Sequence, residues 1–178
     1  MAKDTQLIKC VILTLRKENV ILPEALVAEI VSVKDVVAGE NRPDWYLGDM
    51  KWHDADVPLL SYEAAGGTEF SRVNLNTQAV VLYAVGKGEK VADTPYLALV
   101  MSGVPHASNF SREQFKIDSE VIEDHPMVAQ KVRINGASVS ILDVDAMVDM
   151  VAEVNSGYLF NNDRDLDANN HPITSEAR

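Results

Sequence analysis

The sequence is poor in cysteine, in positive charge and in long hydrophobic runs. Its single cysteine, Cys10, cannot form a disulfide within the chain, and its apolar neighbours favour a small buried side chain in a reducing compartment. No apolar run approaches the ~20 residues that cross a bilayer, which argues against a membrane-spanning helix. The N-terminus is polar and lacks the ordered regions of a signal peptide, so we expect a cytoplasmic protein.

Basic residues are outnumbered by acidic ones. Sixteen Lys and Arg residues against 27 Asp and Glu residues give a formal net charge of −11. No basic cluster interrupts this balance, so the electrostatic attraction that binds phosphate backbones is missing. Nucleic acids and anionic membrane surfaces are therefore not expected as partners.

Motifs for metal, cofactor and catalytic chemistry are also scarce. None of the four histidines has a second His or Cys at a metal-ligand spacing. Asp163, Asp165 and Asp167 imitate the opening of a calcium loop, but Ala168 stands where that loop needs a glycine. The chain has neither a phosphate-binding loop nor a Gly-x-Ser-x-Gly elbow. The residues therefore give no support for a metal, a cofactor or catalysis.

The composition is that of a packed protein. The 178 residues are 47% hydrophobic and 24% charged, which suits one ordinary domain or two very small ones. Short apolar segments separated by polar turns predict a β-rich fold. We expect the folded domain to cover residues 1–160, and residues 161–178 to form a flexible polar tail.

In the first half of the chain, hydrophobic periodicity predicts strands that alternate with short helices. Residues 7–22 predict a hairpin, after which a short helix is expected over residues 24–30. A helical turn is expected at residues 41–48 and ends at Gly48. Residues 49–60 predict a second hairpin, whose returning strand contains Pro58 and therefore favours a sheet edge.

In the second half, residues 79–85 and 95–101 predict a pair of buried strands. The strongest hairpin signal is Asn135-Gly136, because this dipeptide accepts the positive φ angles of a tight turn. Apolar residues at helical spacing predict a helix over residues 143–155, with Gly157 as its C-terminal cap.

Two features of the sequence allow more than one interpretation. Residues 54–62 and 136–144 share the layout of a turn followed by a strand, which is compatible with a duplication that produced two small barrels or with chance. Trp45, Met50 and Trp52 are compatible with a hydrophobic core or, if exposed, with a partner-binding patch.

Four stretches of the sequence form a pattern through their order and spacing. The most characteristic stretch has Pro43, an apolar turn, Gly48 and a hairpin that ends in Val57-Pro58. The other stretches are the opening hairpin at residues 11–30, the central strands at residues 77–82 and 96–104 with Ser102-Gly103-Val104, and the closing strand at residues 139–143 with the helix that follows. Together they resemble the CheW-like coupling proteins of bacterial chemosensory systems over residues 7–154.

The chain departs from this family at two places. It has His53-Asp54 where the family usually has Arg-Gly, and Ser102 where an acidic residue is usual. Among divergent members, the short acidic chain and the stretch from Pro43 to Gly48 are most similar to the ChpC-like adaptors, which serve a chemosensory system that controls type IV pili and twitching motility.

The resemblance implies a mainly β fold of two interlocked five-stranded SH3-like barrels with short helices and a C-terminal helix. It also implies a non-enzymatic adaptor without a cofactor, which couples methyl-accepting chemoreceptors to the regulatory domain of a CheA-type histidine kinase. By position, the kinase contact is expected at Leu47, Met50, Trp52 and His53, and the receptor contact, in a groove between the barrels, at Val36, Val100, Ser102 and Val104. Alanine at Trp52 or Met50 is expected to weaken kinase binding and to leave the fold intact.

A rival hypothesis belongs to a different functional class. It is a small-ligand-binding or hydrolytic β-barrel that uses the segment from Ser102 to His106, which places a serine near a histidine in the sequence. This hypothesis predicts ligand binding or turnover that is abolished by His106→Ala.

Overall fold

The computed structural model describes residues 6–69, 72–84 and 94–168, and the side chains as far as residue 157. The molecule is mainly β, as predicted. The described residues form the strands β1 (Leu7–Thr14), β2 (Asn19–Pro23), β3 (Val27–Ser32), β4 (Tyr46–Trp52), β5 (Ala55–Leu60), β6 (Gln78–Tyr83), β7 (Tyr96–Met101), β8 (His106–Ser111), β9 (Phe115–Ile117), β10 (Val128–Ile134) and β11 (Ala137–Leu142). Helices are α1 (Tyr62–Ala65), α2 (Val144–Ala168) and the single 3-10 turns Glu24–Leu26 and Arg112–Gln114.

The strands form two sheets that are interlocked along the chain. The first sheet has the order β8-β1-β2-β11-β10-β9, and the second has the order β3-β6-β7-β5-β4. The chain therefore starts in the first sheet, builds the whole second sheet, and then returns to complete the first. The first sheet has six strands rather than the expected five, because the three-residue strand β9 pairs with β10.

The two segments with a similar layout occupy equivalent places. β5 completes an antiparallel hairpin with β4 and pairs in parallel with β7. β11 likewise completes a hairpin with β10 and pairs in parallel with β2. This equivalence favours the duplication over chance.

The hydrophobic core joins the two sheets. The main cluster takes buried residues from β1 and β2 of the first sheet, from β5, β6 and β7 of the second, and from α2. Helix α2 contributes Val144, Met147, Val148 and Val151, which share one face of the helix. Burial of each such side chain stabilises the fold by about 1.5–3 kcal/mol. Each sheet also has one smaller cluster of its own buried residues.

The predicted hairpins are confirmed. β1 pairs with β2, β4 with β5, β6 with β7 and β10 with β11, all antiparallel. Asn135 and Gly136 have φ angles of 51° and 85°, which is the left-handed conformation expected for their turn.

Both helices expected in the first half of the chain are wrong. The first is a single 3-10 turn, because Val27 already begins β3 and pairs with Leu82 of β6. In residues 41–48, β4 begins at Tyr46, so Gly48 lies within a strand rather than at a helix end. Gly48 has a φ of 143°, and a Cβ atom there would lie 2.5 Å from the carbonyl oxygen of Val37. The glycine is therefore required by the close approach of a neighbouring backbone.

The edge position expected for Pro58 is also wrong. Its strand, β5, lies between β7 and β4. Pro58 is opposite Asp49 of β4, and the pairing with β7 comprises Leu59 and Leu60. A proline is tolerated here because it stands just before the pairing with β7 begins.

The last helix is longer than its pattern predicts. Helix α2 passes through Gly157 and reaches Ala168, so Gly157 is not its C-terminal cap. A helix that is already nucleated by packed turns extends at little further cost, even through weak helix formers. The helix thus covers the first residues of the segment expected to be a polar tail, and residues 169–178 lie outside the described residues.

Candidate functional site

Three side chains meet where β3 and β4, the two edges of the second sheet, approach each other. The indole Nε1 of Trp52 donates a hydrogen bond of 2.8 Å to Oε2 of Glu29. The imidazole Nε2 of His53 lies 3.2 Å from the same oxygen. Glu29 belongs to β3, Trp52 ends β4 and His53 begins the following turn, so one carboxylate links the two open edges of the sheet.

The Glu29 carboxylate is favoured in its ionised form. The hydrogen bond from Trp52, followed by the one from His53, lowers the pKa of Glu29 below its ordinary value. A charged acceptor strengthens both hydrogen bonds and fixes the orientation of the two rings.

An aromatic surface surrounds this carboxylate. The Trp52 ring makes edge contacts with Tyr96, at 4.9 Å between centroids, and with His53, at 4.6 Å. Tyr83 lies 5.8 Å from Tyr96 and is 46% exposed. We call Glu29, Trp52, His53, Tyr83 and Tyr96 the aromatic surface. It combines large apolar rings with polar atoms at the rim, as protein-binding surfaces do.

The residues predicted to contact the kinase are only partly at the surface. Trp52 is half-buried and His53 is exposed, whereas Met50 is only 1% exposed and belongs to the cluster inside the second sheet. Met50 is therefore a core residue and offers no contact area. Trp45 is half-buried and packs against the main core cluster. Of the three large apolar residues, Met50 therefore lies in the core, Trp45 packs against it, and Trp52 belongs to the exposed aromatic surface.

Leu47 and Val36 line one cavity, although they were assigned to different partners. This cavity of about 630 Å³ lies between the segment before β4 and the loop after α1. Its other lining residues include Asp44, Glu69 and Arg72, so it mixes apolar and charged groups. Val36 and Leu47 also pack against the same cluster inside the second sheet, which contains Val100.

Asp49 anchors the segment that precedes β4. Its carboxylate accepts a hydrogen bond of 2.7 Å from the Tyr46 hydroxyl and forms a 2.8 Å salt bridge with Arg42. The Arg42 guanidinium also lies 4.2 Å from the centroid of the Tyr46 ring. Burial, and then the hydrogen bond to Asp49, raise the pKa of Tyr46 well above its ordinary value.

Sequence reasoning missed this network for a physical reason. The sequence pattern placed Tyr46 in a helical turn and Asp49 in the hairpin that follows, whereas both belong to β4. On a regular strand, residues three apart point to opposite faces. The pairing register of β4 shifts between Tyr46 and Gly48, and this irregularity turns both side chains to the same side. In the sequence, Gly48 was the one indication of this irregularity, because a glycine inside a strand often marks a bulge.

Of the remaining residues of the expected receptor contact, two are exposed and one is buried. Ser102 and Val104 are exposed, and they lie on the segment that leads from β7 of the second sheet to β8 of the first. The backbone N–H of Ser102 donates to the Thr14 carbonyl at 3.1 Å, which holds this segment against the end of β1. Val100 is only 6% exposed in β7 and is a core residue. We call Ser102 and Val104 the inter-barrel surface.

The segment of the rival hypothesis lies at the surface. Ser102 and His106 are both exposed, and neither lines the cavities of about 630, 360 and 120 Å³. Among the residues that the structure describes, no group of three or more His, Cys, Asp or Glu is placed to hold a metal ion. Within the same residues, no helix is both long and apolar enough to cross a membrane.

Comparison with known proteins identifies the family. The sequence matches the model of the CheW-like domain over residues 9–152. A comparison with curated proteins gives no match. The crystal structure of the scaffolding protein TtCheW from Thermoanaerobacter tengcongensis matches with a TM-score of 0.62 at 14% identity, covering 77% of this chain and 89% of that one, which shows a shared fold. Since the family match extends over most of its length, the chain belongs to the CheW-like domain family.

Proposed function

We propose that the chain is a non-enzymatic adaptor of a bacterial chemosensory system, which couples methyl-accepting chemoreceptors to a CheA-type histidine kinase. The observation that carries this proposal is the match to the CheW-like domain over residues 9–152. The structural neighbour TtCheW is described as a scaffolding protein, which agrees with a role in assembly. The fold supports this function because two exposed surfaces, the aromatic and the inter-barrel surface, share no residue and can serve two partners at once.

The aromatic surface, together with Leu47, is the proposed kinase contact. Trp and Tyr side chains dominate binding energy in many protein interfaces because their large rings lose little conformational entropy on binding. Glu29 holds the Trp52 ring in place before any partner arrives. Met50 supports the surface only indirectly, because it is packed beneath it in the core of the second sheet.

The inter-barrel surface is the proposed receptor contact. Val104 is 71% exposed, and the turn that carries it is fixed by the hydrogen bond from Ser102 to Thr14. A small apolar contact on a rigid turn suits an interface that forms and re-forms, since such interfaces bury limited area. The Val104 side chain belongs to none of the core clusters, so it is available for contact with a partner.

The experiment is a capture of partners from a native bacterial lysate with the tagged protein. We expect the wild-type chain to retain a histidine kinase and a chemoreceptor. Trp52→Ala should lose the kinase and keep the receptor, whereas Val104→Asp should lose the receptor and keep the kinase.

Leu75→Asp provides the matched control, because Leu75 is 92% exposed and lies outside both surfaces. It should retain both partners, and circular dichroism should show that all variants are folded. Recovery of neither partner by the wild-type chain contradicts the adaptor proposal. Equal losses with Leu75→Asp and Val104→Asp contradict the assignment of the receptor surface.

We further propose that the chemosensory system is one that controls type IV pili and twitching motility. The support is the similarity to ChpC-like adaptors in the stretch from Pro43 to Gly48 and in the short acidic chain. Deletion of the gene should shrink the twitching zone, and the wild-type copy should restore it where the Trp52→Ala copy does not. Unchanged twitching overturns this assignment and leaves the adaptor proposal standing.

A further inference from the structure

An apolar cavity of about 360 Å³ lies on the first sheet and shares no residue with the two interaction surfaces. Its walls come from β1, β2, β9, β10, β11 and the 3-10 turn at Arg112–Gln114. Four of its eleven lining residues are isoleucines, and Arg112 is the only one that carries a formal charge.

The lining of this cavity is mostly apolar. Cys10 lies in its lining, and burial raises the pKa of the Cys10 thiol. At the rim, Ile117 is 71% exposed and Ile8 is 38% exposed. When an apolar molecule covers apolar side chains that are in contact with water, the free energy of the system falls, which favours binding.

Arg112 introduces charge of one sign at this apolar site. The 3-10 turn that carries it is capped by its neighbours, since the Ser111 N–H donates to Oε1 of Gln114 at 2.7 Å. Arg112 itself is exposed, and no carboxylate in the described ranges forms a salt bridge with it. In a chain with 27 acidic residues, an arginine without an ion pair beside an apolar cavity is a ready partner for an external anion.

The size of the cavity favours a small molecule over a protein segment. Its volume of about 360 Å³ falls within the usual range for small-molecule sites. Stable protein interfaces take roughly 20–30 residues from each side, whereas this cavity is lined by eleven.

We propose that this cavity binds an unbranched apolar chain that ends in a carboxylate, such as a free medium-chain fatty acid. The hydrocarbon chain lies among the isoleucines, and the carboxylate pairs with Arg112. This inference goes beyond the adaptor function, and it concerns a site that the proposed kinase and receptor contacts leave open.

Methyl NMR of the full chain with labelled isoleucine tests the proposal directly. Sodium decanoate should cause saturable shifts of Ile8, Ile21, Ile117 and Ile141. Ile30, which is 42% exposed in the second sheet, serves as the internal reference and should not shift. Decylammonium has the same hydrocarbon chain with the opposite charge, and the net charge of −11 favours it over decanoate for non-specific binding, whereas Arg112 repels it. We therefore expect decanoate to bind more tightly at this site.

Two variants isolate the role of Arg112. Arg112→Gln should weaken decanoate binding about tenfold, because it removes a charge-assisted hydrogen bond. Lys116→Gln removes the same charge from an exposed residue of β9 that does not line the cavity, and it should bind like the wild type. Absence of saturable shifts at millimolar decanoate, equal binding of decylammonium, shifts that include Ile30, or an unchanged affinity in Arg112→Gln each overturns the proposal.

Discussion

Glu29 positions the two side chains on which the proposed kinase contact depends. Its Oε2 atom accepts from Trp52 and contacts His53, and these hydrogen bonds lower the pKa of Glu29 below its ordinary value of 4.5. When the pKa of a carboxyl group is lower in the folded state, its stabilisation is complete above the ordinary pKa and is lost as pH falls through the folded value.

Glu29→Gln is therefore expected to lower stability near neutral pH and to have little effect in acid. The charged acceptor is lost at neutral pH, whereas at a pH below the lowered pKa of Glu29 the wild-type side chain is itself protonated. Urea unfolding of both proteins at neutral and acid pH measures the difference. Glu120→Gln, at an exposed loop carboxylate, is the control for the loss of one negative charge. A penalty for Glu29→Gln that is equal at both pH values contradicts the role given to the carboxylate.

Met50→Ala tests the placement of Met50 in the core. Because Met50 is only 1% exposed, its truncation should lower the free energy of unfolding by about 2–5 kcal/mol, through lost burial and the cavity left behind. Urea denaturation measures this, and Leu75→Ala, at an exposed leucine, should change stability little. A stable Met50→Ala variant that has lost kinase binding would return Met50 to the contact surface.

For single residues, the sequence indicated the face of the strand on which a side chain lies but not how deeply that side chain is buried. Met50 and Trp52 are two residues apart in β4, so the alternation of a strand places both on one face. This alternation did not show that Met50 lies inside the sheet while Trp52, at the strand end, reaches the rim. Depth depends on the strands packed above, which are distant in sequence. Val100 was misplaced for the same reason, because its strand, β7, is central.

At the scale of elements, Gly157 and Gly136 provide a contrasting pair. Helix α2 passes through Gly157, where a Cβ atom would meet nothing within 4 Å, whereas Gly136 has a φ of 85° in the β10–β11 turn. We expect Gly157→Ala to stabilise the protein by about 0.5–1 kcal/mol, because alanine is the better helix former. Gly136→Ala should destabilise it by about 1–2 kcal/mol, because a Cβ atom opposes the left-handed conformation.

Thermal unfolding of both variants measures these opposite shifts. If Gly157→Ala lowers the melting temperature instead, Gly157 ends the helix in a left-handed conformation, as the sequence pattern had indicated. Gly136→Ala then serves as the reference for the size of such a penalty.

Hairpins were predictable from sequence and the ends of helices were not. A hairpin such as β10–β11 depends on a local turn, and Asn135-Gly136 specifies that turn by itself. Residues 24–30 carry a helical pattern of apolar residues, but most of them extend into β3 because β6 offers a pairing edge. That edge is about 50 residues away in the sequence, so no local pattern reveals it.

At the scale of the whole molecule, the interlocked arrangement depends on two parallel pairings between remote segments. β2 pairs with β11, and β5 pairs with β7. Hydrophobic periodicity predicts the strands but not these partners, so the expectation of two interlocked barrels came from the family resemblance. The same limit applies to the cavity beside Arg112, whose walls come from five strands and one turn.

The shared core predicts that the two sheets unfold together. Leu13 of β1, Leu60 of β5, Leu82 of β6 and Met147 of α2 all belong to one buried cluster, so neither sheet keeps its core when the other separates. We expect Leu60→Ala, in the second sheet, and Met147→Ala, in the helix, each to lower the free energy of unfolding by about 2–5 kcal/mol.

Native-state hydrogen exchange provides the measurement for this cooperative unit. In both variants, amides of β1 and β6 should lose the same amount of protection, because one opening exposes both sheets. Phe110→Leu is the matched control, since Phe110 belongs to the separate cluster inside the first sheet and its change conserves an apolar side chain. Loss of protection confined to β6 in Leu60→Ala would mean that the sheets open separately. The aromatic surface, on the second sheet, would then open while the inter-barrel surface stays held to the first sheet by the hydrogen bond from Ser102 to Thr14, and the two partners would not be kept in a fixed relation.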